Sequence, residues 1–377
     1  MQPVYITRLS KFLPNEPVFN DEMEGFLGMV NGKPSRARAL VLRNNGIKKR
    51  YYAIKNGKRT HTNAQMAAIA IKSLFDEQLP ICQLELLATG TSSPDQILPS
   101  HSSMVHGELG GGNLEIMAAS GSCCSSMAAL KYAMMAVSAG IAKVAAVSGS
   151  ESFSAWILAS HFQPEADTWQ TIDANPYLAF EKDFLRWMLS DGAAAALLQD
   201  KPNGAGISLK IEWLEITSFA NELETCMYSG AVKNTDGSIT SWSELSVDDW
   251  AEQSVFAIKQ DTRLLGEQII KKGGEFLKTL VSKYGLNPEN VDYYLPHMSS
   301  EYFKKEMETH MSAAGMAIPP EKWFYNLTRV GNVGSASPFL MLEELFYSGT
   351  LKKGDKLLVM VPESARFTYA YIYLTVV

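Results

Sequence analysis

Short apolar stretches alternate with longer helical patterns along most of this chain, and that alternation limits the fold more than any other feature. Residues 62–75 put Ala64, Met66, Ala67, Ala70 and Ile71 at helical spacing. Residues 83–89 read as a strand. Residues 124–139 read as a second helix, stopped by Gly140. Residues 143–148 lack strict polar alternation, which suits a strand covered on both faces. A further strand covers 193–198, after the turn Ser190-Asp191-Gly192. The pattern predicts an α/β fold. Pro202-Asn203-Gly204-Ala205-Gly206 is the strongest punctuation, and it divides the chain into halves 1–200 and 201–377. The second half predicts helical patterning over 256–284, interrupted at Gly273-Gly274. It continues with a strand at 291–295, a helix over 301–312 and an apolar helix with Pro338 in its first turn. Strands over 356–361 and 367–377 close the chain. In the last, Tyr369, Tyr371 and Tyr373 alternate with Ala370, Ile372 and Leu374.

A chain of 377 residues is long for one core. Its net charge of −6 argues against a nucleic-acid surface, which usually carries a basic excess. Lys48-Lys49-Arg50 reads equally as a phosphate-binding cluster or a solvated turn. No apolar run reaches the roughly 20 residues needed to span a bilayer, and the N-terminus lacks a signal-peptide pattern. The expectation is a cytoplasmic protein without a membrane span. Four cysteines (Cys82, Cys123, Cys124, Cys226) make neither a disulfide framework nor a Cys-x-x-Cys metal site. Residues 152–189 and 222–249, rich in Trp, Ser, Asp and Asn, read as additions to a compact core, of a length common in lids and interfaces.

Three residues have settings that suit chemistry. Cys123, with Cys124, opens a helix rich in small residues. There the unpaired N–H groups and the positive end of the helix dipole favour a thiolate. His297 ends a strand after Pro296, and strand carboxyl ends in α/β folds face the usual crevice. Asn332 lies in Gly331-Asn332-Val333-Gly334-Ser335-Ala336-Ser337, where small residues let the backbone present one amide. Each also has a bland reading: buried cysteines as small hydrophobes, a satisfied core histidine, an ordinary Gly-Asn turn.

In order along the chain, five segments resemble the ketoacyl-carrier-protein synthase III type of ketosynthase, in the thiolase superfamily. Asn44-Asn45-Gly46-Ile47-Lys48-Lys49-Arg50 is similar to that family's Thr-Gly-Ile-Arg-x-Arg segment. Cys123-Cys124-Ser125-Ser126-Met127-Ala128-Ala129-Leu130 is similar to its nucleophile helix. Ser190-Asp191-Gly192-Ala193-Ala194-Ala195, Leu295-Pro296-His297 and the segment around Asn332 complete the set. Gly140 stands at the family's distance from Cys123 and not from Cys124.

The resemblance implies a thiolase fold: two similar α/β halves in five αβαβα layers, with a homodimer interface beside the nucleophile strand. It implies a catalytic Cys123, His297 and Asn332 and no cofactor. The substrates would be phosphopantetheine thioesters on CoA or on acyl carrier protein. The acyl group would load onto Cys123. His297 and Asn332 would hold the enolate oxygen of a second thioester, and its carbon would attack the acyl-Cys123. The oxyanion of acyl transfer would be held by the Cys123 N–H and the late loop Ser364-Ala365-Arg366, where much of the family has glycines.

That loop, the additions and the segments 4–15 and 33–36 resemble the dialkylresorcinol-forming (DarB-like) branch. Its members join a 3-oxoacyl thioester to an α,β-unsaturated one and close a cyclohexanedione ring. Alternatives are decarboxylative condensation of an acyl-CoA primer with malonyl carrier protein, a non-catalytic ketosynthase-like subunit, and a thiol hydrolase.

Overall fold

The computed structural model describes residues 2–35, 37–163 and 184–377. Nine strands form one sheet: β1 (Tyr5–Phe12), β2 (Leu86–Thr91), β3 (Glu115–Ser120), β4 (Val144–Glu151), β5 (Gly192–Gln199), β6 (Leu209–Ser218), β7 (Tyr293–Pro296), β8 (Lys356–Glu363) and β9 (Thr368–Val376). Their order is β7-β8-β9-β6-β1-β5-β4-β2-β3. From β1 outward, two antiparallel pairings are followed by two parallel ones. From β6 outward the pattern repeats: antiparallel, antiparallel, parallel. Its fifth member is reduced to a single bridge between Tyr294 and Trp323. The two half-sheets meet where Tyr5 and Ile6 pair with Lys210 and Leu209.

Among the described residues, six helices of nine residues or more make the other layers: α1 (Asn63–Lys72), α2 (His101–Leu109), α3 (Ser125–Ser138), α4 (Thr262–Tyr284), α5 (Lys304–Ala313) and α6 (Ser337–Phe346). Strand alternation sorts the core. In β5, Ala193, Ala195 and Leu197 join the α1 and α2 side chains, while Ala194, Ala196 and Leu198 face α3 and α6. In β9, Ala370, Ile372 and Leu374 face the middle layer, and Tyr369 and Tyr371 face α4 and α5. The result is the five-layered α/β arrangement expected, with α3 and α6 buried at its centre.

The elements follow from local chemistry. Thr62 caps α1 in a reciprocal bond pair with Gln65. Gly140, with φ +75°, ends the turn after α3. The expected break at Gly273-Gly274 is not present, because α4 runs on unbroken to Tyr284. Packing explains the glycines instead. A Cβ on Gly273 would stand 3.2 Å from the Tyr369 ring, and one on Gly274 would stand 3.1 Å from His310 Cβ. Tyr369 and Tyr371 also donate their hydroxyls to the Ile269 and Gly273 carbonyls of this helix, at 2.8 and 3.3 Å.

Candidate active site

Cys123, His297 and Asn332, far apart in sequence, line one cleft of about 500 Å³ that is partly open to solvent. Cys123 sits in the turn before α3, its sulfur 3.8 Å from Ser122 Oγ. Cys124 turns the other way. Its thiol donates to the carbonyls of Val361 (3.2 Å) and Thr368 (3.5 Å), under the sheet. Of the two neighbours, Cys123 is the one at the cleft.

His297 follows β7. Its N–H donates to the Met360 carbonyl at 2.8 Å, which extends the β7–β8 ladder and fixes the ring's origin. Burial pulls the imidazole down to about 4, so it is neutral at ordinary pH.

Asn332 follows Gly331, whose φ of +75° is left-handed. A Cβ there would stand 2.8 Å from Ser190 Cβ and 3.0 Å from Arg50 Cγ. The Asn332 N–H donates to the Met188 carbonyl (3.0 Å), and its own carbonyl accepts from Ser190 N–H (2.9 Å). Its Oδ1 accepts from Gly334 N–H at 3.0 Å, which orients the amide and leaves Nδ2 as the donor end.

The other family-like segments brace this loop from behind. Ser190 Oγ accepts from Tyr51 N–H (2.9 Å). The Asp191 carboxylate accepts from Ala53 N–H (2.7 Å) and Ser154 N–H (2.8 Å), and burial raises it to about 6. Arg50 is fully buried, donating to Asn20 Oδ1 (2.6 Å) and the Trp187 carbonyl. It is therefore not available to a phosphorylated ligand, whereas Lys48 is exposed and Lys49 half-buried.

The late loop divides. Ser364 lines the cleft, and its hydroxyl donates to Gln260 Oε1 at 3.3 Å. Ala365 uses its carbonyl to accept from Cys226 (2.9 Å) and Met227 (3.2 Å). Arg366 does not line the cleft: it is exposed and holds the Leu223 carbonyl at 3.2 Å. The left-handed residue here is Phe367, with φ +59°, so none of 364–366 needs a glycine's freedom.

The expected thiolate is not favoured. Ser122 and Cys124 N–H groups both donate to Glu363 Oε2, at 3.1 and 3.0 Å. Burial, then the Glu363 charge, push the Cys123 thiol well above its usual range. The Ser122 hydroxyl and the Cys123 N–H work against that, and the Glu151 charge adds to it. The helix-end argument fails because a carboxylate already occupies the positive end.

Sequence reasoning did not single out Glu363, Met227, Gln260 or Phe153 as site residues, and the last three line the cleft. Phe153, Leu185 and Met188 come from the 152–189 addition, and Met227 from the 222–249 addition. Residues 164–183 of the former, and Arg36 of the 33–36 segment, lie outside the described residues. A second hollow, with space for little more than one water, shares Ile269 and Pro362 with the cleft. It is walled by apolar groups of α4, α5 and β8. Among the described residues no cluster of three or more His, Cys, Asp or Glu is arranged for a metal ion, and no helix is long and apolar enough to cross a membrane.

The chain is similar to known proteins in sequence and in fold. Residues 281–370 match the family described as 3-oxoacyl-[acyl-carrier-protein] synthase III C terminal. The β-ketoacyl-[acyl-carrier-protein] synthase III of Chlorobaculum tepidum is 22% identical over 98% of both chains. That of Neisseria gonorrhoeae is 24% identical over 95% of both. Among solved structures, the tetronic acid condensing enzyme AbyA1 superposes with TM-score 0.75 at 19% identity over 99% of both chains. The Aquifex aeolicus 3-oxoacyl-[acyl-carrier-protein] synthase III gives 0.70 at 20%, again over 99% of both. Xanthomonas campestris OleA gives 0.75 at 18%, over 99% of this chain and 98% of that one. The fold is the thiolase fold of these solved structures. In sequence the chain is similar, along nearly all of its length, to β-ketoacyl-[acyl-carrier-protein] synthase III enzymes.

Proposed function

We propose that the chain joins two acyl thioesters by a carbon–carbon bond through an acyl-Cys123 intermediate. The observation that carries this reading is the meeting of Cys123, His297 and Asn332 in one cleft while Cys124 faces away. In the first half-reaction the Cys123 sulfur attacks a thioester carbonyl and the pantetheine thiol departs with the proton. The Cys123 N–H and a backbone N–H of 364–366 hold the oxyanion. In the second, the neutral His297 ring and Asn332 Nδ2 hold the enolate oxygen of the incoming thioester. The α-carbon of that thioester gives up a proton and attacks the acyl carbonyl, the bond from that carbonyl to the Cys123 sulfur breaks, and the leaving sulfur takes up a proton, which restores the thiol. Donors acting on an oxygen this way need no charge of their own, which suits an imidazole held near 4.

The substrates in this reading are a 3-oxoacyl and an α,β-unsaturated acyl thioester, carried on CoA or acyl carrier protein and closed to a cyclohexanedione, a dialkylresorcinol precursor. The apolar lining of the cleft by Phe153, Leu185, Met188, Met227 and Leu265 supports the binding of an acyl chain. An OleA variant solved with bound lauric acid and lauroyl-CoA lends support to thioester binding on this fold. The working form in this reading is a cytoplasmic homodimer of chains built from like halves, 1–200 and 201–377. The support is that, among the described residues, β3 is an outer strand paired on one side alone, and that Ile116, Met135 and Ile141 are exposed.

The test is product mass. The purified protein, given a 3-oxoacyl and a 2-enoyl thioester, is expected to release a product containing both carbon chains without loss of CO₂. If it turns over only an acyl-CoA with malonyl carrier protein, the decarboxylative reaction named for its relatives is the right one.

A further inference from the structure

The two halves of the molecule exchange carboxylates. β4 and β8 hold equivalent places in the two half-sheets, each between one antiparallel and one parallel neighbour, and each is eight residues long and ends in glutamate. Glu151, at the end of β4, crosses to Ser335 N–H at 3.1 Å, just ahead of α6. Glu363, at the end of β8, crosses the other way to Ser122 and Cys124 N–H, just ahead of α3. Each central helix therefore has its positive end covered by an acid from the opposite half.

The two acids differ in what they sit beside. Glu151 is also held by Ser93 Oγ (2.6 Å) and Ser92 N–H (3.2 Å). Glu363 accepts from the residues on either side of the nucleophile, both through Oε2. Burial raises the Glu363 carboxyl, and these two N–H bonds work against that by favouring the ionised form. The titratable groups acting on the Cys123 sulfur are Glu363 and Glu151, both acids. Its neighbour Cys124 is buried with its own thiol raised, and His297 across the cleft is neutral.

We propose that Glu363 is a positioning residue that clamps the nucleophile turn and holds Cys123 in its thiol form in the resting enzyme. The carboxylate cancels the N–H dipoles that would otherwise favour the anion, and its own charge opposes a second one nearby. The sulfur then resists oxidation and stray alkylation between turnovers. Its proton leaves during acyl transfer, ending on the departing thiol as the new thioester bond forms and the old one breaks. That last consequence rests on the condensing reaction above; the effect on the sulfur does not.

The test needs no substrate. Iodoacetamide labelling of Cys123 is followed against pH by peptide-resolved mass spectrometry, because Cys82 is exposed and reacts independently. Glu363→Gln keeps an oxygen for both N–H groups and removes the charge. Its labelling midpoint is expected to fall by about one pH unit, with roughly tenfold faster labelling near neutrality, and its melting temperature should hold. An unchanged midpoint in a folded Glu363→Gln protein overturns the proposal. If that variant does not fold, Glu363→Asp, which draws the charge back from the turn, is read in the same way: a midpoint below that of the wild type is expected, and an unchanged one overturns the proposal.

Discussion

Cys123→Ala is expected to abolish the acyl adduct and lower condensation by roughly 10⁴-fold or more, the scale seen when a covalent nucleophile is removed. Cys124→Ala is expected to keep the adduct. The two residues are adjacent and both buried, so exposure does not separate them. Direction does: Cys124 donates to two sheet carbonyls, and Cys123 lines the cleft. Losing the weak Cys124 bonds should lower stability by about 1 kcal/mol. Intact-mass measurement after exposure to a thioester reads both variants. An adduct that persists in Cys123→Ala, or vanishes only in Cys124→Ala, reverses the assignment.

Gly149→Ala in β4 should be strongly damaging for the addition of a single methyl group. A Cβ there would stand 2.2 Å from the Ser335 carbonyl oxygen and 2.9 Å from Ala336 N. Gly90, on the neighbouring strand β2, meets Ser126 N at 2.3 Å in the first turn of α3. Both obstacles are backbone, just ahead of α6 and at the start of α3, which cannot turn aside as a flexible side chain can. Each substitution is expected to cost about 3 kcal/mol, read as a fall in melting temperature. Each also displaces a piece of the site, since Ser335 lies just past Asn332 and Ser126 just past Cys123. Gly266, inside α4 with nothing within 4 Å of a Cβ, is the control. There alanine should be neutral or stabilise by about 0.5–1 kcal/mol through helix propensity. Equal melting temperatures for Gly149→Ala and Gly266→Ala would contradict the close packing.

Much of this architecture is legible in the sequence because strands and helices impose different periods. The Tyr369, Tyr371 and Tyr373 alternation gave the two faces of β9, and Pro338 marked the first turn of α6. The Gly273-Gly274 expectation failed for a physical reason. Helix propensity is local, and those glycines answer to Tyr369 and His310, which lie far along the chain. The same division runs through the site. Asn332 stood out because a left-handed glycine and small neighbours must surround it, and His297 because a strand ends there. Glu363 carries no local signal. Its partners Ser122 and Cys124 are 241 and 239 residues away, and they become neighbours only when the two halves close on each other. The thiolate expectation failed with it, since a helix end reads the same in sequence whether or not an acid covers it. Arg366 shows the limit of reading a loop by position: Ser364, two residues earlier, faces the cleft, while Arg366 faces solvent.

The central claim is that one sulfur carries the acyl group while an imidazole and an amide from the other half receive the second substrate. A chase experiment on Asn332→Ala tests it most directly. Wild type and variant are first loaded with one thioester, and the acyl-Cys123 mass is recorded. The second thioester is then added. The adduct should form in both proteins, discharge into carbon–carbon product in the wild type, and persist in the variant, with condensation slowed by about 10²–10³-fold. Discharge of the variant's adduct to the same product at the wild-type rate would contradict the account.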